Sequence, residues 1–188
     1  MGTPAQAKAT YTDLLAVPDD LVAELIEGSL YTHPRPSPQH ANSTSVLGAD
    51  LNGPFQRGKG GPGGWWILFE PELHLGDDVM VPDLAGWRRE RLPALPDTAW
   101  FSVAPDWVCE TLSPSNAFHD RARKLPRYAA AGIAWAWLVH PTERYVEVFE
   151  NVGGSWVQRR VAGEDEEAAL PPFDAVTLKL TDLWDTGA

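Results

Sequence analysis

The stretch VMVPDLAGWRR, residues Val79–Arg89, decides how the rest of the chain is read. It places an aspartate, Asp83, directly after a proline, in a run that is otherwise apolar up to Trp87. A second segment, PDWVCETLSPS (Pro105–Ser115), does the same with Glu110. An ionised carboxylate in an apolar strand is costly unless something compensates it. Side chains alternate along a strand, so Val81, Asp83 and Ala85 are expected on one face, and Val108, Glu110 and Leu112 on one face of the later strand. If the two strands are neighbours, the acids converge and their repulsion raises one pKa unless a cation lies between them. Two oxygen donors of this kind suit a hard ion such as magnesium. The structural alternative is that Asp83 caps a turn after Pro82 while Glu110 makes an ordinary ion pair.

A helix is expected after the second acid, over SNAFHDRARKLPRYAAAG, with Ser115 or Asn116 as N-cap and Gly132 as its stop. Within it Asp120 and Lys124 are spaced i, i+4, which would make an exposed ion pair or else aim an ammonium at the carboxylates. Pro126 should kink this helix just after Lys124. Strands are expected on its far side at AWAWLVH and RYVEVFE, and before the acids at WWILFEPELHL. Near the N-terminus, YTDLLAVP reads as a short helix and VAELIEGSLYTHP as a hairpin. The segment Gln39–Phe55 has helical spacing, and GKGGPGG is a loop without phosphate-loop spacing. A strand, a crossover helix and a further strand imply a mixed central β-sheet flanked by helices. The expected fold class is α/β or α+β, with an N-terminal hairpin.

The chain has 188 residues, 44% of them hydrophobic and 22% charged, which fits one globular domain over 11–188 behind a flexible leader of residues 1–10. The net charge of -11 argues against nucleic-acid binding through a broad basic surface, although DRARKLPR (Asp120–Arg127) is locally cationic. A lone Cys109 excludes a disulfide framework and suggests a reducing, cytoplasmic setting. MGTPAQAKAT has no apolar targeting segment, and YAAAGIAWAWLV is shorter than the roughly 18 residues of a membrane span, so no membrane partner is expected. Ser113 lacks the Gly-x-Ser-x-Gly surroundings of a serine nucleophile. Most of the nine tryptophans are expected in the core, any exposed ones being able to stack on bases.

Several motifs occur in order: ELIEG (Glu24–Gly28), PSPQH (Pro36–His40), VPDLAGW, ETLSPS (Glu110–Ser115), HDRARKLPRYAAAGI and WAWLVHP. Together they resemble an abundant bacterial family of restriction-endonuclease-like proteins, the Uma2 type, within the PD-(D/E)XK nuclease superfamily. The likeness runs from about Tyr11 to Phe149. It implies a restriction endonuclease-like core in which Asp83 and Glu110 bind magnesium, with manganese as a substitute. The motif lysine would fall at Leu112, and the resemblance implies that Lys124, from the following helix, takes its place. Glu24 and His40 match a further acid and a motif histidine, and both remain open to structural readings, as does Glu70.

The resulting expectation is a magnesium-dependent endonuclease acting on DNA. Asp83, Glu110 and Lys124 would be catalytic, Glu24, His40 and Asp120 supporting, and Arg121, Arg123 and Arg127 on the nucleic-acid backbone. A homodimer would suit double-strand cutting. The rivals are a nuclease-fold binding or regulatory protein without turnover, which Leu112 and the acidic charge favour, and a hydrolase of small phosphoesters.

Overall fold

A computed structural model describes residues 8–187. Residues 1–7 of the expected leader lie outside the described residues. The last three leader residues are tied down: Ala9 N–H donates to Gly28 O at 2.8 Å, and Thr10 caps the first helix, α1 (Tyr11–Leu15), in a reciprocal capping box with Asp13. Strands β1 (Leu21–Ile26) and β2 (Ser29–Pro34) form the expected hairpin. Its two-residue turn is Glu27-Gly28, with φ of 53° and 74°. Both central residues are left-handed, as the twist of a tight hairpin requires.

Helix α2 (Pro38–Leu51) starts at Ser37, whose hydroxyl accepts from His40 N at 3.3 Å, with Pro38 in the first turn. It runs into a π-helical turn, Asn52–Gln56, that contains Pro54. Strands β3 (Trp65–Phe69), β4 (Leu73–Leu75), β5 (Asp78–Met80), β6 (Leu84–Arg88) and β7 (Trp107–Thr111) follow. The crossover after β7 comprises α3 (Ala117–His119), a second π-helical turn (Asp120–Lys124) and α4 (Leu125–Ala130). The chain continues through β8 (Trp135–His140), β9 (Tyr145–Val152), β10 (Ser155–Gly163), β11 (Glu167–Ala168), β12 (Leu178–Lys179) and α5 (Thr181–Trp184).

The main sheet has the order β10-β9-β8-β7-β6-β3, and only β7 and β8 are parallel. A smaller sheet has the order β2-β1-β5-β4, and β11 pairs with β12. The architecture is therefore a mixed α+β fold. VMVPDLAGW, expected as one strand, is two strands in two different sheets. Pro82 has no N–H to donate to a ladder, and the chain leaves the small sheet after Met80 to enter the large one at Leu84. Asp83 therefore sits in the break rather than on a strand face shared with Val81 and Ala85.

The expected kink at Pro126 takes the form of the second π-helical turn, in which Leu125 N–H donates to Asp120 O. A proline ring clashes with the carbonyl four residues back in an α-helix. Widening the turn just before Pro126 relieves that clash, and the other π-helical turn itself contains a proline, Pro54.

Alternation along the central strands divides the core. Leu84, Trp107, Cys109 and Trp137 face α2 and pack with Leu47, Leu51 and Phe173. Ala85, Trp87, Val108 and Leu138 face the crossover and pack with Leu125 and Tyr128. Five tryptophans, Trp65, Trp87, Trp107, Trp137 and Trp184, are buried, and the other four are partly buried. None of them is an exposed stacking platform. Among the described residues no helix is long and apolar enough to cross a membrane.

Candidate active site

Asp83 and Glu110 meet because β6 and β7 are antiparallel neighbours, paired through Leu84 opposite Cys109. One residue further along this register, Asp83 stands beside Glu110. The backbone fixes the first acid: Thr111 N–H donates to Asp83 Oδ2 at 2.6 Å. On the other side, Asp83 Oδ1 lies 2.9 Å from His40 Nε2, which the first turn of α2 delivers. Glu110 projects from β7 on the same face as Val108, beneath the crossover helices, and is buried.

Lys124 lies at the end of the second π-helical turn and is only 3% exposed. Its Nζ is 2.9 Å from Glu24 Oε1, 2.9 Å from Glu110 Oε1 and 3.0 Å from the Val81 carbonyl oxygen, with Asp120 Oδ1 at 3.8 Å. An ammonium has three protons to donate, and each has an acceptor here. Two further contacts complete the frame. Tyr128, one turn after Lys124, donates its hydroxyl to Glu110 Oε1 at 2.7 Å, and Val81 N–H donates to Glu24 Oε1 at 2.8 Å.

These groups open onto a cavity of about 300 Å³ lined by Glu24, His33, His40, Asp83, Glu110, Asp120 and Lys124. Arg35, Ser113 and Asn116 also border it. Of the two readings of Asp120 and Lys124, the exposed pair does not hold: both side chains are buried, because the π-helical turn points them inward. The three arginines of the crossover are arranged differently, and none lines the cavity. Arg121 pairs with Glu147 and Arg127 with Asp78, while Arg123 is exposed. Glu70 is at the cavity wall, 3.9 Å from Arg35.

Three carboxylates, those of Glu24, Glu110 and Asp120, surround one ammonium, and their protonation reflects it. Burial raises Glu24, but the charge of Lys124 and hydrogen bonds from His119, Val81 N–H and Lys124 overcome it and leave its pKa at about 2. Burial also raises Glu110, and Asp120, Asp83 and Glu24 add to that effect against the pull of Lys124, so Glu110 holds a proton far more readily than a free glutamate. Lys124 is shifted upward too: burial opposes its charge, but Glu110 and Glu24 outweigh it. Asp120 is pushed up to about 6, first by burial and then by Asp83 and Glu24 against Lys124. Asp120 Oδ2 is buried without a hydrogen-bond partner.

This predicts a pH dependence of the metal-free protein. Asp120 has a raised folded pKa, so its contribution to stability is present below the usual value of 3.8 and is lost as pH rises through about 6. Glu24, held at about 2, contributes stability above its usual 4.5 and loses it only in strong acid. In a chelator, the unfolding free energy should therefore fall between pH 5 and pH 7 by about 1–3 kcal/mol, and the melting temperature with it. Asp120→Asn should flatten that slope. The check is thermal unfolding followed by circular dichroism at several pH values.

The residues missed from the sequence are Tyr128, His119 and His33. Tyr128 was findable, since it is i+4 from Lys124 on one helical face. His33 was findable as a diagonal neighbour of Glu24 across the hairpin, whereas the approach of His119 to Glu24 depends on tertiary packing.

The arrangement of mixed sheet, crossover helices and acid-lined cavity is that of a nuclease-like fold. A crystal structure described as a putative nuclease belonging to DUF820, from Anabaena variabilis, is similar to it with a TM-score of 0.74. The likeness covers 93% of this chain and 97% of that one, at 24% sequence identity, and so concerns the fold. No curated protein matches the chain. A family model does: residues 9–181 match Uma2, described as "Putative restriction endonuclease", and the chain belongs to that family.

Proposed function

We propose that this protein is a nuclease that hydrolyses phosphodiester bonds in DNA with a divalent metal ion, magnesium or manganese. The observation that carries this reading is the convergence of Asp83, Glu110 and Lys124, from three separate elements, on one cavity. The residues present fit a hard cation. Asp83 and Glu110 offer carboxylate oxygens, and Asp120 contributes a buried oxygen without a partner. Asp83 and Glu110 would hold the ion, with Asp120 beside them. When bound, a divalent ion supplies a water of lowered pKa and neutralises charge on the phosphate.

The chain's own groups set the rest. His40 and Thr111 N–H lock the Asp83 carboxylate between them, so its orientation is fixed before substrate arrives. Tyr128 and Lys124 both engage Glu110 Oε1, which restricts the rotation of that carboxylate. Lys124 is a group able to neutralise charge growing on a phosphate oxygen, and Arg35 also borders the cavity.

A second reading has an observation of its own. All three protons of Lys124 are taken by protein acceptors, and Leu112 occupies the usual lysine position, so the site would also suit a nuclease fold that binds without turnover. Incubation of supercoiled plasmid and of single-stranded and duplex oligonucleotides with magnesium, manganese or chelator separates the two. Cleavage that requires the metal supports the nuclease. Absence of cleavage, with no metal binding that depends on Glu110, supports the binding protein. Cleavage confined to small phosphoesters would instead identify a phosphoesterase.

A further inference from the structure

Glu24 has two faces. Its Oε1 is engaged by Val81 N–H and Lys124, but its Oε2 points the other way, toward two imidazoles. Oε2 lies 2.9 Å from His119 Nε2 and 3.8 Å from His33 Nε2. All three ligand atoms fall within 4.8 Å of one another. The rings of His33 and His119 are 4.5 Å apart between centroids. His33 Nε2 is inaccessible to solvent and has no hydrogen-bond partner. A buried ring nitrogen with no partner, aimed at a carboxylate oxygen, is an unexplained cost in a folded chain.

We infer that Glu24 Oε2, His33 Nε2 and His119 Nε2 form a site for a zinc-class divalent transition ion, separate from the Asp83 and Glu110 carboxylates. Two imidazoles and one carboxylate oxygen, with a further position open, are a ligand set zinc commonly takes, and imidazole selects borderline transition ions over magnesium. Tetrahedral bonds of about 2.0–2.1 Å place ligand atoms roughly 3.3–3.4 Å apart. The two separations from Glu24 Oε2 bracket that spacing, and the two histidine nitrogens lie within 4.8 Å of each other. The three ligands come from β1, β2 and the start of the crossover, so the ion would clamp the N-terminal hairpin to α3. The simpler account is a hydrogen bond between His119 and Glu24, which leaves His33 Nε2 unexplained.

The inference does not rest on nuclease activity. Its test is titration of the full chain, freed of metal, with cobalt(II), read by visible d–d absorption and by the rise in melting temperature. Wild-type protein should bind one cobalt ion at this site and melt at higher temperature with it. His33→Ala, a change at a partly exposed strand position, should weaken that affinity by tenfold or more. His119→Asn, which keeps a hydrogen-bonding group beside Glu24, should do the same. Asp83→Asn should retain the absorption band. Unchanged cobalt affinity in both histidine variants, with folding verified by circular dichroism, would overturn the inference. So would loss of the band in Asp83→Asn, because the ion would then belong to the neighbouring carboxylates.

Discussion

Asp83→Asn should reduce metal-stimulated cleavage by a factor on the order of 10³ while leaving the melting temperature nearly unchanged. Asparagine has the same size, and its amide oxygen can still accept from Thr111 N–H, which now reaches Asp83 Oδ2 at 2.6 Å. What disappears is the negative charge at the cavity wall and one anionic oxygen beside His40. Asp83 is less buried than Glu110, with 17% of its side chain exposed against 3%, so losing its charge disturbs the fold less. Single-turnover cleavage of a labelled duplex, with magnesium varied at fixed pH, is the measurement. If the variant cleaves as fast as the wild type at every magnesium concentration, Asp83 holds no ion in the reaction. A rate restored only at much higher magnesium would instead mean that the remaining carboxylates keep a weakened site.

How much of this geometry was legible in the sequence depended on how local each determinant is. The hairpin was readable because two adjacent left-handed residues, Glu27 and Gly28, make the turn themselves. The crossover was readable because the polar Ser115-Asn116 pair and Gly132 bracket it, although the Asn116 side chain makes no capping bond to α3. The break at Pro82 was not, since a strand running through a proline and a strand that changes sheets share the same alternation until tertiary pairing is known. Of the three crossover arginines offered to nucleic acid, Arg121 also pairs with Glu147, 26 residues away, and Arg127 with Asp78, 49 residues away. Partners so distant leave no trace in a window of sequence. The same holds for His119, which reaches Glu24 only once the small sheet has docked on the crossover; His33 is a diagonal neighbour of Glu24 within the hairpin itself. Lys124 was placed by likeness to a family and by helical spacing. Its burial depends on a π-helical turn that Pro126 favours but no periodicity announces.

That burial sets the largest expected effect on stability. Lys124→Met should destabilise the protein at pH 7 by about 3–5 kcal/mol, the usual cost of removing one partner from a buried ion pair. Methionine fills much of the lysine volume, so the loss is one of charge and hydrogen bonds rather than of packing. Glu24 and Glu110 would then face each other with no cation, and Val81 O would lose a donor. The folded pKa of Glu24, now about 2, would climb above its usual 4.5. A carboxylate with a raised folded pKa loses stability as pH rises through that value, so the deficit of Lys124→Met should shrink on acidification toward pH 5. Adding Glu110→Gln to Lys124→Met should recover part of the loss, because the second change removes one of the two orphaned charges, whereas Glu110→Gln alone should cost stability. That non-additivity is the signature of a direct interaction. Urea unfolding of the four proteins at pH 5 and pH 8 measures it. Additive losses at both pH values would mean that the ammonium does not hold these carboxylates together, and the clamp at the centre of the cavity would have to be abandoned.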